Sequence, residues 1–123
     1  MEFYICNHCG NIITFAENKG VPVSCCGEKM HKLIPGSVDA AVEKHVPIYE
    51  VKGNTVTVTI GSTLHPMSTE HLIDWVALET EQGVQIKHLS ADAAPTITFA
   101  LAEGDAVKTV YAYCNLHGLW KAE

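Results

Sequence analysis

Tyr49-Glu50-Val51-Lys52-Gly53-Asn54-Thr55-Val56-Thr57-Val58-Thr59-Ile60 carries the period that decides the fold. Val56, Val58 and Ile60 alternate with threonines, so an extended chain turns an apolar face one way and hydroxyls the other. β-branched side chains suit that half-buried, pleated surface. Tyr49 and Val51 precede Gly53-Asn54, a two-residue hairpin signal, and the halves on either side of it are expected to pair antiparallel.

Period two continues outward from this hairpin. Leu72-Ile73-Asp74-Trp75-Val76-Ala77-Leu78 reads as a strand apolar on nearly both faces, followed by Val84 and Ile86, then by Ile97, Phe99 and Leu101. Val110, Ala112 and Cys114 share one side of the last long strand. Glu81-Gln82-Gly83 and Ala102-Glu103-Gly104-Asp105 are the turns between them. About seven short strands, with no helix longer than a turn required, predict a mainly β protein built on an antiparallel immunoglobulin-like sandwich. Pro47 disfavours helix ahead of it, so His45 and Val46 are expected in extended or loop structure. Upstream, Leu33-Ile34-Pro35-Gly36-Ser37 ends the apolar pattern and marks a domain boundary.

With 123 residues, 47% of them hydrophobic and 18% charged, the chain suffices for one modest core and a small appendage. A net charge of −6 with eight scattered Lys and Arg argues against nucleic acid or an anionic membrane as partner. No apolar run approaches the roughly 20 residues that cross a bilayer. Met1-Glu2-Phe3-Tyr4-Ile5-Cys6 lacks the basic start and apolar stretch of a signal peptide, and a cytoplasmic location is expected. In a reducing compartment the five cysteines point to metal binding or redox chemistry.

Four of these cysteines lie in a segment too small to fold without a staple. Cys6-x2-Cys9 followed by Gly10 is a metal knuckle, whose turn brings two sulfurs to one ion. Cys25 and Cys26 are adjacent, and neighbouring side chains on an extended backbone point apart, so they share an ion only with a local twist. The result is a distorted four-sulfur site suited to iron or zinc, a structural zinc knuckle being the plain alternative. His8 and His31 flank it and read as solvated, since four sulfurs already complete a tetrahedron.

The rest of the chain offers a second donor set. His65 and His71 sit in one inter-strand loop stiffened by Pro66, His45 precedes the first long strand, and Cys114 and His117 stand three apart near the C-terminus. Loops at one end of a sandwich converge. Four imidazoles in a plane and a thiolate below exceed the four ligands of structural zinc and leave one octahedral position open, an arrangement iron(II) accepts.

Cys6-x2-Cys9 with Cys25-Cys26, Glu43-Lys44-His45-Val46-Pro47, His65-Pro66-Met67 to Glu70-His71, and Cys114-Asn115-Leu116-His117-Gly118-Leu119-Trp120 resemble, in order and over essentially the whole chain, the desulfoferrodoxin family of two-iron superoxide reductases. The resemblance implies a desulforedoxin/rubredoxin-like domain over residues 1–36 with iron held by Cys6, Cys9, Cys25 and Cys26. It implies a catalytic sandwich over residues 37–123 with a second non-haem iron. There His45, His65, His71 and His117 are equatorial ligands and Cys114 is axial; His117 binds through Nδ1 and the others through Nε2. It implies one-electron reduction of superoxide to hydrogen peroxide, a homodimer, and an electron-donor protein such as rubredoxin. Glu43 and Lys44 flank His45 and match the family triplet. Lys44 is read as drawing the anion in and ordering a proton-donating water, and Glu43 as a ligand to the oxidised iron. The alternative is a non-catalytic electron carrier or zinc-stabilised binding module in which the histidines are incidental. His88 is expected at the surface, with Met67, Trp75 and Trp120 packing around the site.

Overall fold

The computed structural model describes all 123 residues and divides into two compact units, Met1–Ile34 and Pro35–Glu123. In the first, β1 (Phe3–Ile5), β2 (Ile12–Thr14) and β5 (His31–Lys32) form a three-stranded sheet in the order β2-β1-β5, while β3 (Ser24–Cys25) and β4 (Glu28–Lys29) make a separate hairpin. The two residues between β3 and β4 are Cys26 at φ 53° and Gly27 at φ 76°, the paired positive φ of a type I′ hairpin turn. A left-handed conformation costs a non-glycine residue about 1 kcal/mol or more. Here it supplies the twist that two adjacent cysteines need.

The second unit contains a single turn of helix, α1 (Val42–His45), and seven strands: β6 (Pro47–Lys52), β7 (Thr55–Ile60), β8 (Ile73–Thr80), β9 (Val84–His88), β10 (Thr96–Ala100), β11 (Val107–Cys114) and β12 (Gly118–Ala122). Two antiparallel sheets result, β10-β7-β6 and β12-β11-β8-β9. The β6–β7 hairpin closes where the alternation placed it, Lys52 pairing with Thr55, and Gly53 takes φ 59° at the first central position. Glycine favours that position in a II′ turn.

One buried cluster joins the sheets: Val56, Val58, Ile60 and Phe99 from one, Ile73, Val76, Leu78, Val110, Ala112 and Cys114 from the other. Each fully buried Val, Ile or Phe side chain stabilises by roughly 1.5–3 kcal/mol relative to exposure. Cys114 thus belongs to the core, and whatever its sulfur binds is anchored to the buried centre of the sandwich.

Two expectations need correction. His45 is not extended: it is the last residue of α1, and only Val46, at φ −71° and ψ 120°, has left helical geometry. The proline restriction acts on the residue immediately before the ring, so it reaches Val46 and stops there. The sequence pattern also does not single out β12, which pairs along β11 from Cys114↔Gly118 to Val110↔Ala122.

Candidate metal centres

Three connections at one end of the sandwich bring the second donor set together: α1, the loop between β7 and β8, and the turn between β11 and β12. The first two are locked by Gly61. At φ 84° it lies so close to α1 that an added Cβ would stand 2.4 Å from Glu43 O and 2.7 Å from Lys44 C. Thr63 N–H donates to Glu43 O at 2.9 Å, and the Ser62 hydroxyl donates to the same oxygen at 3.3 Å. Register along the β11–β8 pair shifts between Tyr113 and Cys114, so that Tyr113 faces Trp75 whereas Cys114 faces Ile73, and Asp74 is skipped.

One donor atom from each of His45, His65, His71 and Cys114 lies within 4.8 Å of all the others. His117 joins them through Nδ1, 3.2 Å from His45 Nε2 and 3.9 Å from Cys114 Sγ. His45, His65 and Cys114 are buried. A backbone carbonyl can only accept, so Nδ1–H of His45 donates to Ala41 O at 2.7 Å and Nδ1–H of His65 donates to Pro66 O at 2.6 Å. In the neutral rings both Nε2 atoms then carry lone pairs, and they stand 3.2 Å apart. His71 Nε2 is buried with no partner at all. Inward lone pairs at such distances, beside an unpartnered buried ring nitrogen, are the arrangement a cation satisfies.

Electrostatics point the same way. Burial, reinforced by the other histidines, pulls His65 down to about 4 against the opposing bond to Pro66. Burial also lowers His71, helped by His117, His45 and Lys44. His65 and His71 are therefore held neutral and able to ligate. Burial pushes the Cys114 thiol up, although the N–H groups of Leu116 and His117 work against it, and a bound cation would reverse that direction. Four imidazoles with one thiolate exceed the usual zinc set and fit a non-haem iron.

In the smaller unit the four sulfurs of Cys6, Cys9, Cys25 and Cys26 lie within 4.8 Å of one another, and none is in a disulfide. Cys9 Sγ and Cys25 Sγ are 3.6 Å apart. The N–H groups of Cys9 and His8 bring Cys6 down to about 6, whereas proximity to the sulfurs of Cys6, Cys9 and Cys25 pushes Cys26 up to about 12. Four thiolates cannot coexist in that space without a cation among them.

His8 and His31 are exposed as expected but not merely solvated: their Nε2 atoms take the two oxygens of Glu28 at 2.8 and 2.7 Å. His88 is exposed, 3.8 Å from Asp74. Glu43 and Lys44 are exposed on α1. Trp120 does more than pack: its ring stacks on His45 with centroids 5.0 Å apart, and its Nε1–H donates to His117 O at 3.0 Å. Asn115 and Ser68, which brace the His71 segment, were not candidates in the sequence. Their signal is a polar side chain able to imitate backbone pairing in a loop between ligands.

Residues 37–123 match the family model described as Desulfoferrodoxin. A desulfoferrodoxin from Nitratidesulfovibrio vulgaris is 42% identical over 122 residues, covering 99% of this chain and 95% of the relative. Among solved structures, the superoxide reductase from Treponema pallidum superposes with a TM-score of 0.85 at 41% identity and 100% coverage of both chains. A superoxide reductase from Giardia intestinalis covers 65% of this chain and 95% of its own, with a TM-score of 0.54 at 30% identity.

Proposed function

This chain belongs to the desulfoferrodoxin family, and on that premise we propose that it is a superoxide reductase. Superoxide takes up one electron and two protons and leaves as hydrogen peroxide, and an external reductant restores the electron. The observation that carries this reading is the convergence of His45, His65, His71, Cys114 and His117 donor atoms at the end of the sandwich. The two donor sets correspond to two non-haem irons per chain.

When bound, the iron of the histidine-rich set supplies the electron. Cys114 contributes the one negative charge among five donors, so the ferrous set keeps a single positive charge in a chain whose net charge is −6. Lys44 adds to that local field: it stands on the exposed turn next to His45, and its charge is felt at His71. It draws in the anion, and Lys44 Nζ holds protons that reach the product through ordered water. Glu43, exposed beside Lys44, would offer a carboxylate to the oxidised iron, a donor suited to the harder ferric ion.

Residues 1–36 form the desulforedoxin-like iron domain and residues 37–123 the catalytic one. The working form is a cytoplasmic homodimer fed by a small electron-donor protein such as rubredoxin. No helix is long and apolar enough to cross a membrane. Metal analysis tests the reading directly. Two irons per chain, with a thiolate-to-iron absorption band that shifts when azide is added to the oxidised protein, support it. One zinc and no colour would end it.

A further inference from the structure

Three ligand segments are held in three different ways. His45 and His65 are oriented through their rings, by Nδ1–H bonds to Ala41 O and Pro66 O. Such a bond beyond the metal ligand fixes both the tautomer and the plane of the ring. The His71 ring makes no comparable bond to a carbonyl, yet its Nε2 is the buried, unpartnered atom of the cluster. Its orientation has to be imposed through the backbone.

Two polar side chains impose it. Ser68 accepts His71 N–H at its hydroxyl at 3.1 Å and returns its own N–H to His71 O at 3.0 Å. Asn115 brackets the same residue: its Oδ1 accepts Leu72 N–H at 3.0 Å and its Nδ2 donates to Glu70 O at 2.9 Å. Asn115 N–H also donates to Leu72 O at 3.2 Å. The side-chain amide thus pairs with the backbone on both sides of His71 as a strand would. Asn115 follows Cys114 directly and lies two residues before His117, so the same bonds set the spacing between the His71 loop and the turn bearing the other two donors.

We infer that Asn115, assisted by Ser68, is a positioning residue: it holds His71 Nε2 against Cys114 and His117 and replaces the ring bond that His71 lacks. The inference rests on the reading of His71 as an iron ligand and goes beyond it by assigning what keeps that ligand in place. An aspartate would keep the acceptor for Leu72 N–H and lose the donor to Glu70 O. An alanine loses both.

The test measures release of iron from the ascorbate-reduced, iron-loaded protein to a ferrous chelator. The absorption of the four-sulfur iron in the same sample is the internal control, and the EPR signal of the oxidised histidine-site iron is recorded beside it. Asn115→Ala should release the histidine-site iron about 10–100-fold faster, with an altered EPR signal and an unchanged four-sulfur centre. Asn115→Asp should fall between Ala and wild type. Ser68→Ala should also accelerate release, and its effect should combine non-additively with that of Asn115→Ala, as for residues sharing one network. Wild-type release and EPR in Asn115→Ala, or parallel loss of both irons, would overturn the inference. Should Asn115→Ala fail to fold, Asn115→Asp and Ser68→Ala decide it by the same criteria. His71→Ala separates the two readings: if that variant keeps its iron as wild type does, the ligand role of His71 fails, whatever Asn115 does.

Discussion

His45 Nε2 and His65 Nε2 stand 3.2 Å apart while the other nitrogen of each ring is engaged by a backbone carbonyl. With both rings neutral, neither can donate across that gap, and two lone pairs would face each other in a buried site. The protein spends part of its stability holding donors in a geometry favourable only around a cation. The carbonyls of Ala41 and Pro66 that fix these rings come from the same local turns as the histidines themselves.

Gly61→Ala should destabilise the protein by about 2 kcal/mol or more, because the new methyl meets backbone atoms of Glu43, Thr63 and Lys44 and φ 84° disfavours any side chain. The denaturation midpoint of the iron-loaded variant measures it. A midpoint equal to wild type would mean that α1 and the β7–β8 loop are not locked together at this point.

Cys9→Ser should abolish the four-sulfur iron and leave the histidine-site iron in place, since the two sets share no donor. Elemental analysis and the separate absorption bands report this. Simultaneous loss of both irons would contradict two independent centres.

Asp105 predicts an acid-dependent contribution to stability. Burial raises its pKa, but the Thr80 hydroxyl and the N–H groups of Ala106, Gln82 and Glu81 outweigh it and hold the carboxyl below the usual range; the bonds from Ala106 and Gln82 measure 2.8 and 3.1 Å. The folded protein therefore binds this proton less readily than the unfolded chain. The stabilisation is complete above the ordinary carboxylate pKa and is lost as pH falls through the lowered one. Asp105→Asn should lower stability near neutrality and flatten the acid limb of the stability curve. Denaturant titrations at several pH values would show it, and an unchanged limb would remove Asp105 as its source.

Lys44→Ala should slow the reaction of the reduced protein with superoxide by roughly tenfold and weaken its dependence on ionic strength, the signature of lost steering. Pulse radiolysis at two salt concentrations provides both numbers. An unaltered rate would take Lys44 out of the mechanism.

Local pattern made much of this molecule readable. The threonine–valine alternation ending at Ile60 located a hairpin because period two is a property of each strand alone. Cys6-x2-Cys9 and the Cys114–His117 pair were visible because both donors of each pair come from a single turn. Contacts between distant segments were not visible. That α1 reaches His45 depends on packing against Gly61, and Asn115 becomes meaningful only once the chain lays it against Glu70 and Leu72, forty-odd positions away. Trp120 looked like core and is, but its stacking on His45 requires β12 to lie beside β11.

The most direct test is the stoichiometry of superoxide consumption by the fully reduced protein, followed by pulse radiolysis with superoxide limiting. Each superoxide consumed should oxidise one histidine-site iron and yield one hydrogen peroxide, with no dioxygen released. Half an equivalent of peroxide accompanied by dioxygen, or oxidation confined to the four-sulfur iron, would contradict the assignment.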